Sequence, residues 1–231
     1  MSRIARIVVP GCPHHIVQRG NRRQAVFFND QDKAIYLELF SAHAGKAGIE
    51  VLAYCLMDNH VHFVALPHDK TSLAKGIGVV HKKYTRMIHF REGWKGYFWQ
   101  GRFFSVPLSD QYLYRAVRYV ERNPVRARLV RSAEDYRWSS ARAHVFNTKD
   151  PLISVNSPLL GIDDWAAYLA EDDNKDRELI ARHTSTGRPL GDDAFIARIE
   201  LLTGRILRKK KPGPKPKRFK AQTNKARSPF S

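Results

Sequence analysis

Residues 14–19 (HHIVQR) read as a short strand, followed by a polar Gly20-Asn21-Arg22-Arg23 loop. From Asp32 to Ala47, Ile35, Leu39 and Ala42 recur on one side at helical spacing, with Tyr36, Phe40 and His43 widening the stripe, and Gly48 stops the helix. Residues 50–57 (EVLAYCLM) and 60–66 (HVHFVAL) flank Asp58-Asn59, which suits a tight turn, and predict a β-hairpin. Leu73, Ile77, Val80, Tyr84 and Ile88 mark a second amphipathic helix whose opposite side carries Lys75, Lys82 and Arg86. Residues 93–101 (GWKGYFWQG) are turn-rich and aromatic, and 102–108 (RFFSVPL) read as another strand. Asp110 is the expected N-cap of a third helix running to about Asn123, where Pro124 disfavours continuation, and residues 136–145 predict a short helix.

The predicted order is β-α-β-β-α-β-α. It is the pattern of an α+β domain with a ferredoxin-like antiparallel sheet and helices on one side. Beyond Asp150 the pattern weakens to two modest helices over 163–183 and 192–207, separated by Thr186-Gly187-Arg188-Pro189-Leu190-Gly191. Three segments are therefore expected: a catalytic-size domain over 1–150, a helical accessory extension over 151–207, and a disordered basic tail over 208–231 that cannot bury a core.

Charge sharpens this division. The 40 basic and 22 acidic side chains of the 231 residues leave a net charge of +18. Residues 1–150 hold 24 basic and 12 acidic groups, 151–204 hold 5 and 10, and 205–231 hold 11 and none. Two basic blocks around an acidic one point to a polyanionic partner, and nucleic acid fits better than a lipid surface because no basic amphipathic helix carries a Trp/Leu face. No apolar run approaches the roughly 18 residues of a membrane span, and the N-terminal residues carry no signal-peptide core. Cys12 and Cys55 make neither a disulfide framework nor a four-ligand zinc site, so a reducing compartment, the cytoplasm, is expected.

The chemistry-bearing residues begin with His60-Val61-His62. Alternate residues of a strand share a face, so the two imidazoles point one way, about 7 Å apart along the chain, and can converge on one divalent metal. On the third helix, Leu113, Ala116, Val117 and Val120 form the buried stripe, while Tyr119 and, one turn later, Asn123 lie off it. A metal on His60, His62 and the Asn123 side-chain oxygen would polarise a scissile phosphate, and Tyr119 would attack phosphorus to form a phosphotyrosine. A tyrosine of ordinary pKa near 10 needs a metal or an arginine close by for that role.

Four motifs in order carry a resemblance: Met57-Asp58-Asn59-His60-Val61-His62-Phe63-Val64, Trp99-Gln100-Gly101-Arg102-Phe103-Phe104, Tyr119-Val120-Glu121-Arg122-Asn123-Pro124-Val125-Arg126-Ala127, and Tyr136-Arg137-Trp138-Ser139-Ser140. Over roughly residues 5–145 the chain resembles the IS200-like Y1 transposases of the His-hydrophobe-His single-strand nucleases, in particular their REP-associated tyrosine transposase branch. The resemblance implies His60 and His62 as the metal pair, Asn123 as a third ligand, Tyr119 as nucleophile, and Mg²⁺ or Mn²⁺ as the metal. It implies cutting of single-stranded DNA near imperfect hairpins, with a 5′-phosphotyrosine and a free 3′-OH, then rejoining by a monomer or homodimer in the bacterial nucleoid. Asp58 stands where a proline is frequent in that family, and Arg128 where a glycine is frequent.

Arg19, Arg22, Arg23, Lys75, Lys82, Lys83, Arg86 and Arg102 are the expected phosphate contacts, with Trp94, Tyr97, Phe98 and Trp99 as stacking platforms for unpaired bases. Tyr112 shares the Tyr119 side of its helix and is the substitute nucleophile, Tyr84 belongs to the core, and His14 and His15 are candidate DNA contacts. The tail's Lys-Pro-Gly-Pro-Lys-Pro-Lys-Arg suits non-specific phosphate attraction. Two alternatives stay open: a transposase-derived protein that binds DNA hairpins without cutting, and an RNA-hairpin binder or nuclease.

Overall fold

The computed structural model describes residues 5–153, 159, 161–171 and 174–208. The basic tail expected over 208–231 lies outside them, apart from Arg208. The chain runs β1 (His14–Arg19), α1 (Asp30–Ala44), β2 (Ile49–Met57), β3 (His60–Pro67), α2 (Ser72–Glu92), β4 (Phe104–Pro107) and α3 (Asp110–Glu121). This is the order that the apolar pattern predicts. The strands form one antiparallel sheet in the order β2-β3-β1-β4. Asp58 and Asn59 make the two-residue turn between β2 and β3, with Met57 paired to His60.

The two crossover helices α1 and α2 cover one face. Phe63 of β3 stacks on Phe40 of α1 at 4.3 Å, and Tyr36 meets Tyr84 of α2 at 5.3 Å. Leu73, Ile77, Val80, Tyr84 and Ile88 are all buried, as their spacing predicts. The α1 stripe differs from its expectation: Tyr36, Phe40 and Ala44 are buried while Ala42 is exposed. The larger aromatic rings take the interior because they remove more apolar surface from water. Gly76 lets α2 approach β2 closely, since a Cβ there would stand 2.4 Å from Ile49 Cδ1.

The opposite face of the sheet receives α3, which brings the C-terminal extension with it. Ser109, not Asp110, is the N-cap of α3. Pro124 does not end helical structure; it sits in the first turn of a one-turn helix α4 (Asn123–Arg126), where its missing N–H is no loss. The helix expected over 136–145 shortens to α5 (Ala141–Phe146). Among its described residues the extension forms three helices where two were expected: α6 (Trp165–Ala170), α7 (Asn174–Thr186) and α8 (Asp193–Thr203).

The extension is fastened to α3 by buried charge. Arg118 of α3, only 6% exposed, pairs with Glu171 and, at 3.1 Å, with Asp176; Arg115 reaches Asp176 at 3.0 Å. Glu121, fully buried at the end of α3, accepts from Ser140 Oγ at 2.5 Å, His144 Nδ1 at 2.6 Å and Trp165 Nε1 at 2.9 Å. Burial opposes charge on His144, but the Glu121 carboxylate outweighs it and holds the His144 pKa above its ordinary value. A separate small core joins Phe195 and Ile199 of α8 to Ile7, Val9 and Cys12 at the start of the chain. Cys12 and Cys55 are free and buried, and no helix among the described residues is long and apolar enough to cross a membrane.

Candidate active site

Strand β3 divides its side chains between the two faces of the sheet. Val61 and Phe63 enter the core under α1, and His60 and His62 project to the side where α3 lies. Their rings meet edge to face at 4.9 Å. Register then brings in β1, with Arg19 opposite His60 and Val17 opposite His62. His15, one step further along that face, lies diagonally across from His62.

Both His14 and His15 are buried, which does not suit the DNA contact expected of them. His14 is tied to its own neighbourhood, with Nδ1 2.7 Å from the Cys12 carbonyl. The His15 ring stacks on His62 at 5.3 Å, with its Nε2 3.0 Å from His62 Nδ1, and its Nδ1 is 3.0 Å from Thr184 Oγ1 of α7. The alternation of β1 was legible, but the cross-strand register was not.

Tyr119, half-buried on α3, sets its ring edge to face with both His62 at 5.7 Å and His15 at 5.5 Å. The Arg126 guanidinium lies 4.4 Å from the centre of the Tyr119 ring and also donates to the Tyr119 carbonyl. Arg126 was not singled out from sequence, although it lies two helical turns beyond Tyr119. Asn123 donates from Nδ2 to the carbonyls of Tyr119 at 3.0 Å and Val120 at 3.2 Å, and no hydrogen bond joins it to either histidine among the described residues. Tyr112, the substitute nucleophile, lies against Arg115 at 5.3 Å, whereas the ring that meets His15 and His62 is that of Tyr119. Tyr84 is core, its hydroxyl bonded to the Val26 carbonyl at 2.7 Å.

Burial keeps the imidazoles neutral. It pushes the His15 pKa down to about 3, with Arg126 adding to the shift. His60 is lowered to about 4 by burial and Arg19, against the pull of Asp58. His62 falls well below its ordinary value through burial and the adjoining His60, His15, Arg126 and Arg19. Neutral imidazole is the form that ligates a metal.

The pair also has the outer hydrogen bonds that metal-binding histidines need. His60 Nδ1 is 2.6 Å from Asn59 Oδ1 and His62 Nδ1 is engaged by His15, leaving Nε2 of each without a hydrogen-bond partner among the described residues. No cluster of three or more His, Cys, Asp or Glu side chains suited to a metal occurs among those residues, so the pair fits a divalent cation only if Asn123, substrate or water completes the coordination.

The basic candidates fall into two groups. Arg19 lies beside His60, and exposed Arg22 and Arg23 follow it in a turn held to the β2–β3 hairpin by Asn59 Nδ2 on the Arg23 carbonyl at 3.2 Å. Exposed Arg102 follows the loop that returns to β1 through Gln100 N on the Arg19 carbonyl at 2.8 Å. Lys75, Lys82, Lys83 and Arg86 are exposed on α2, across the sheet from the histidines. There a groove of about 630 Å³ is lined by Lys83, Arg86, Met87, His89, Phe90 and Trp94. Of the four aromatic platforms, Trp94 and Tyr97 are exposed, whereas Phe98 and Trp99 are core residues, Trp99 stacking on buried His81 at 4.5 Å. Arg128 adopts φ +58°, the left-handed conformation that glycine takes without strain, at the position where the resemblance leads one to expect a glycine.

A search of curated protein sequences finds no match. The structure of a REP-associated tyrosine transposase bound to a REP hairpin is 18% identical, covering 71% of this chain and 96% of its own, with a TM-score of 0.49. A Deinococcus radiodurans R1 protein assigned as a transposase is 16% identical, covering 55% and 92%, with a TM-score of 0.36. The family model described as "Transposase IS200 like" matches residues 8–123, half of the chain and the stretch from before β1 to Asn123. The protein belongs to the IS200-like transposase family.

Proposed function

We propose that the protein cuts and rejoins single-stranded DNA beside hairpins through a covalent bond to Tyr119, as a REP-associated tyrosine transposase. One observation carries the reading: the half-buried tyrosine of α3 stands against the histidine pair of β3 with an arginine over its ring. A nucleophile buried only for packing needs neither neighbour.

Tyr119 Oη attacks phosphorus, a P–O bond to the tyrosine forms, and the bond to the departing 3′ oxygen breaks. The phenol loses its proton and the 3′ oxygen gains one, leaving a 5′-phosphotyrosine and a 3′-OH. Arg126 favours the phenolate that develops on the way. Rejoining is the same step reversed, with a 3′-OH as nucleophile, and the phosphodiester's free energy is kept in the tyrosine ester. His60 and His62, with Asn123 as a further oxygen donor, would hold Mg²⁺ or Mn²⁺. That cation supplies polarisation of the scissile phosphate. Arg19, Arg22, Arg23 and Arg102 neutralise the strand being cut. The α2 face, with Lys75, Lys82, Lys83 and Arg86 beside exposed Trp94 and Tyr97, suits the hairpin, the nucleic-acid form bound by the REP-associated transposase above.

The test is incubation of the protein and its Tyr119→Phe variant with labelled hairpin DNA and RNA of one sequence, with Mn²⁺ or EDTA, on a denaturing gel. A Mn²⁺-dependent protein–DNA adduct, absent from the variant and from the RNA lanes, supports the reading. Tight hairpin binding with no adduct and no cut strand contradicts it and leaves a binding protein.

A further inference from the structure

Among the described residues, the side chain of Thr184 carries the extension to the candidate metal site. Thr184, on the last turn of α7, meets His15 at 3.0 Å, and His15 meets His62 at 3.0 Å. Thr184 Oγ1 also lies 2.8 Å from the carbonyl of Ile180, four residues back on the same helix.

The directions of these bonds can be assigned. A carbonyl has no proton to give, so the Thr184 hydroxyl spends its one proton on Ile180 O. The hydroxyl therefore accepts from His15, which places a proton on His15 Nδ1. A neutral imidazole carries one ring proton, so His15 Nε2 has a lone pair and accepts from His62 Nδ1. His62 is then fixed with its proton on Nδ1 and its lone pair on Nε2, the nitrogen that lacks a partner among the described residues. The opposite tautomer would present N–H where a metal needs a lone pair.

We infer that Thr184 is a positioning residue: acting through His15, it holds His62 in the Nδ1–H tautomer, with the Nε2 lone pair facing the site. The inference rests on the reading of His62 as a metal ligand for its purpose, but not for its geometry. It gives the extension a role at the active site, since α7 is held in place by Asp176 on Arg115 and Arg118 of α3. Thr184 lies outside the stretch matched to the family, 169 residues from His15 along the chain.

Thr184→Val keeps the shape of the side chain and removes the hydroxyl; Thr184→Ser restores it. The tautomer of His62 is read in metal-free, ¹⁵N-histidine-labelled full-length protein at neutral pH from two-bond ¹⁵N–¹H correlations. The His62 signals are assigned by their loss in His62→Gln. Wild type and Thr184→Ser are expected to show Nδ1–H, and Thr184→Val a shift toward Nε2–H with unchanged backbone dispersion. A wild-type His62 protonated on Nε2, or a Thr184→Val spectrum identical to wild type, overturns the inference. Mn²⁺ titration of the same samples is the second arm, with about tenfold weaker binding expected for Thr184→Val. If wild type binds no Mn²⁺ while the tautomers behave as expected, the metal reading fails and the hydrogen-bond relay stands.

Discussion

The Arg126 guanidinium stands 4.4 Å from the centre of the Tyr119 ring, with the two residues joined again through the Tyr119 carbonyl. A cation over an aromatic ring contributes about 0.5–2 kcal/mol, more as the ring becomes a phenolate. Arg126→Ala is therefore expected to slow strand cleavage by roughly 2- to 30-fold. Hairpin affinity should change far less, because the side chain is committed to the tyrosine. Single-turnover cleavage measured beside equilibrium binding checks this, and equal losses in both would reduce Arg126 to a phosphate contact.

Buried histidines set the acid limit of stability. His14, His15, His60 and His81 have pKa values lowered to between about 3 and 4 in the folded state, and His62 is lowered too. A histidine lowered on folding contributes stability that is full above the ordinary value of 6.5 and is lost as pH falls toward its folded value. His144 is raised, so its contribution has the opposite sense: full below 6.5 and lost as pH rises through its folded pKa. With His183 also lowered by burial, six lowered groups outweigh one raised group. Each contributes a slope of up to about 1.4 kcal/mol per pH unit below 6.5. The urea midpoint of metal-free protein should therefore drop steeply between neutral pH and about pH 5; a flat profile would contradict the buried, neutral assignment.

Glu121 holds the end of α3 where Tyr119 is carried. Its two oxygens take donors from Ser140, His144 and Trp165 in a fully buried setting. Glu121→Ala removes the acceptor and leaves three donors unpaired, at an expected cost of about 3–5 kcal/mol. Chemical denaturation measures it, and a loss under about 1 kcal/mol would mean that water replaces the carboxylate.

The α2 surface should bind through charge and stacking separately. Replacing Lys82, Lys83 and Arg86 by alanine is expected to weaken hairpin binding and to lower the salt slope by about 0.7–0.9 for each phosphate left without its cation. Tyr97, 85% exposed, should cost about 1–3 kcal/mol on an unpaired loop when changed to alanine and little on duplex DNA, with no change in salt slope. Fluorescence anisotropy across a salt series separates the two effects, and a triple variant with unchanged slope would move the hairpin to another face.

Much of the fold and part of the candidate site's geometry are legible along the chain, for local reasons. The bounds of β1, the two-residue turn, the α2 stripe and the pairing of Tyr119 with Asn123 all follow from period and turn chemistry within a few residues. Spacing misplaces the α1 stripe because it does not say which of two adjacent apolar faces carries the larger rings. Phe98 and Trp99 resemble platforms in the sequence because a turn-rich loop gives no sign that it folds back against α2. His15 and Thr184 depend on register and on a helix docked from far along the chain, neither of which leaves a periodic trace. The tautomer of His62 is thus set by groups that no short motif contains.

In the proposed reaction Tyr119 becomes the covalent carrier of the DNA. After reaction with a hairpin substrate and Mn²⁺, nuclease and protease digestion followed by mass spectrometry identifies the peptide that bears the nucleotide. The modification is expected on Tyr119 through a 5′-phosphate, with the free 3′-OH on the other product. Modification on Tyr112 or any other residue, or strand cutting that leaves no tyrosine ester, would contradict it.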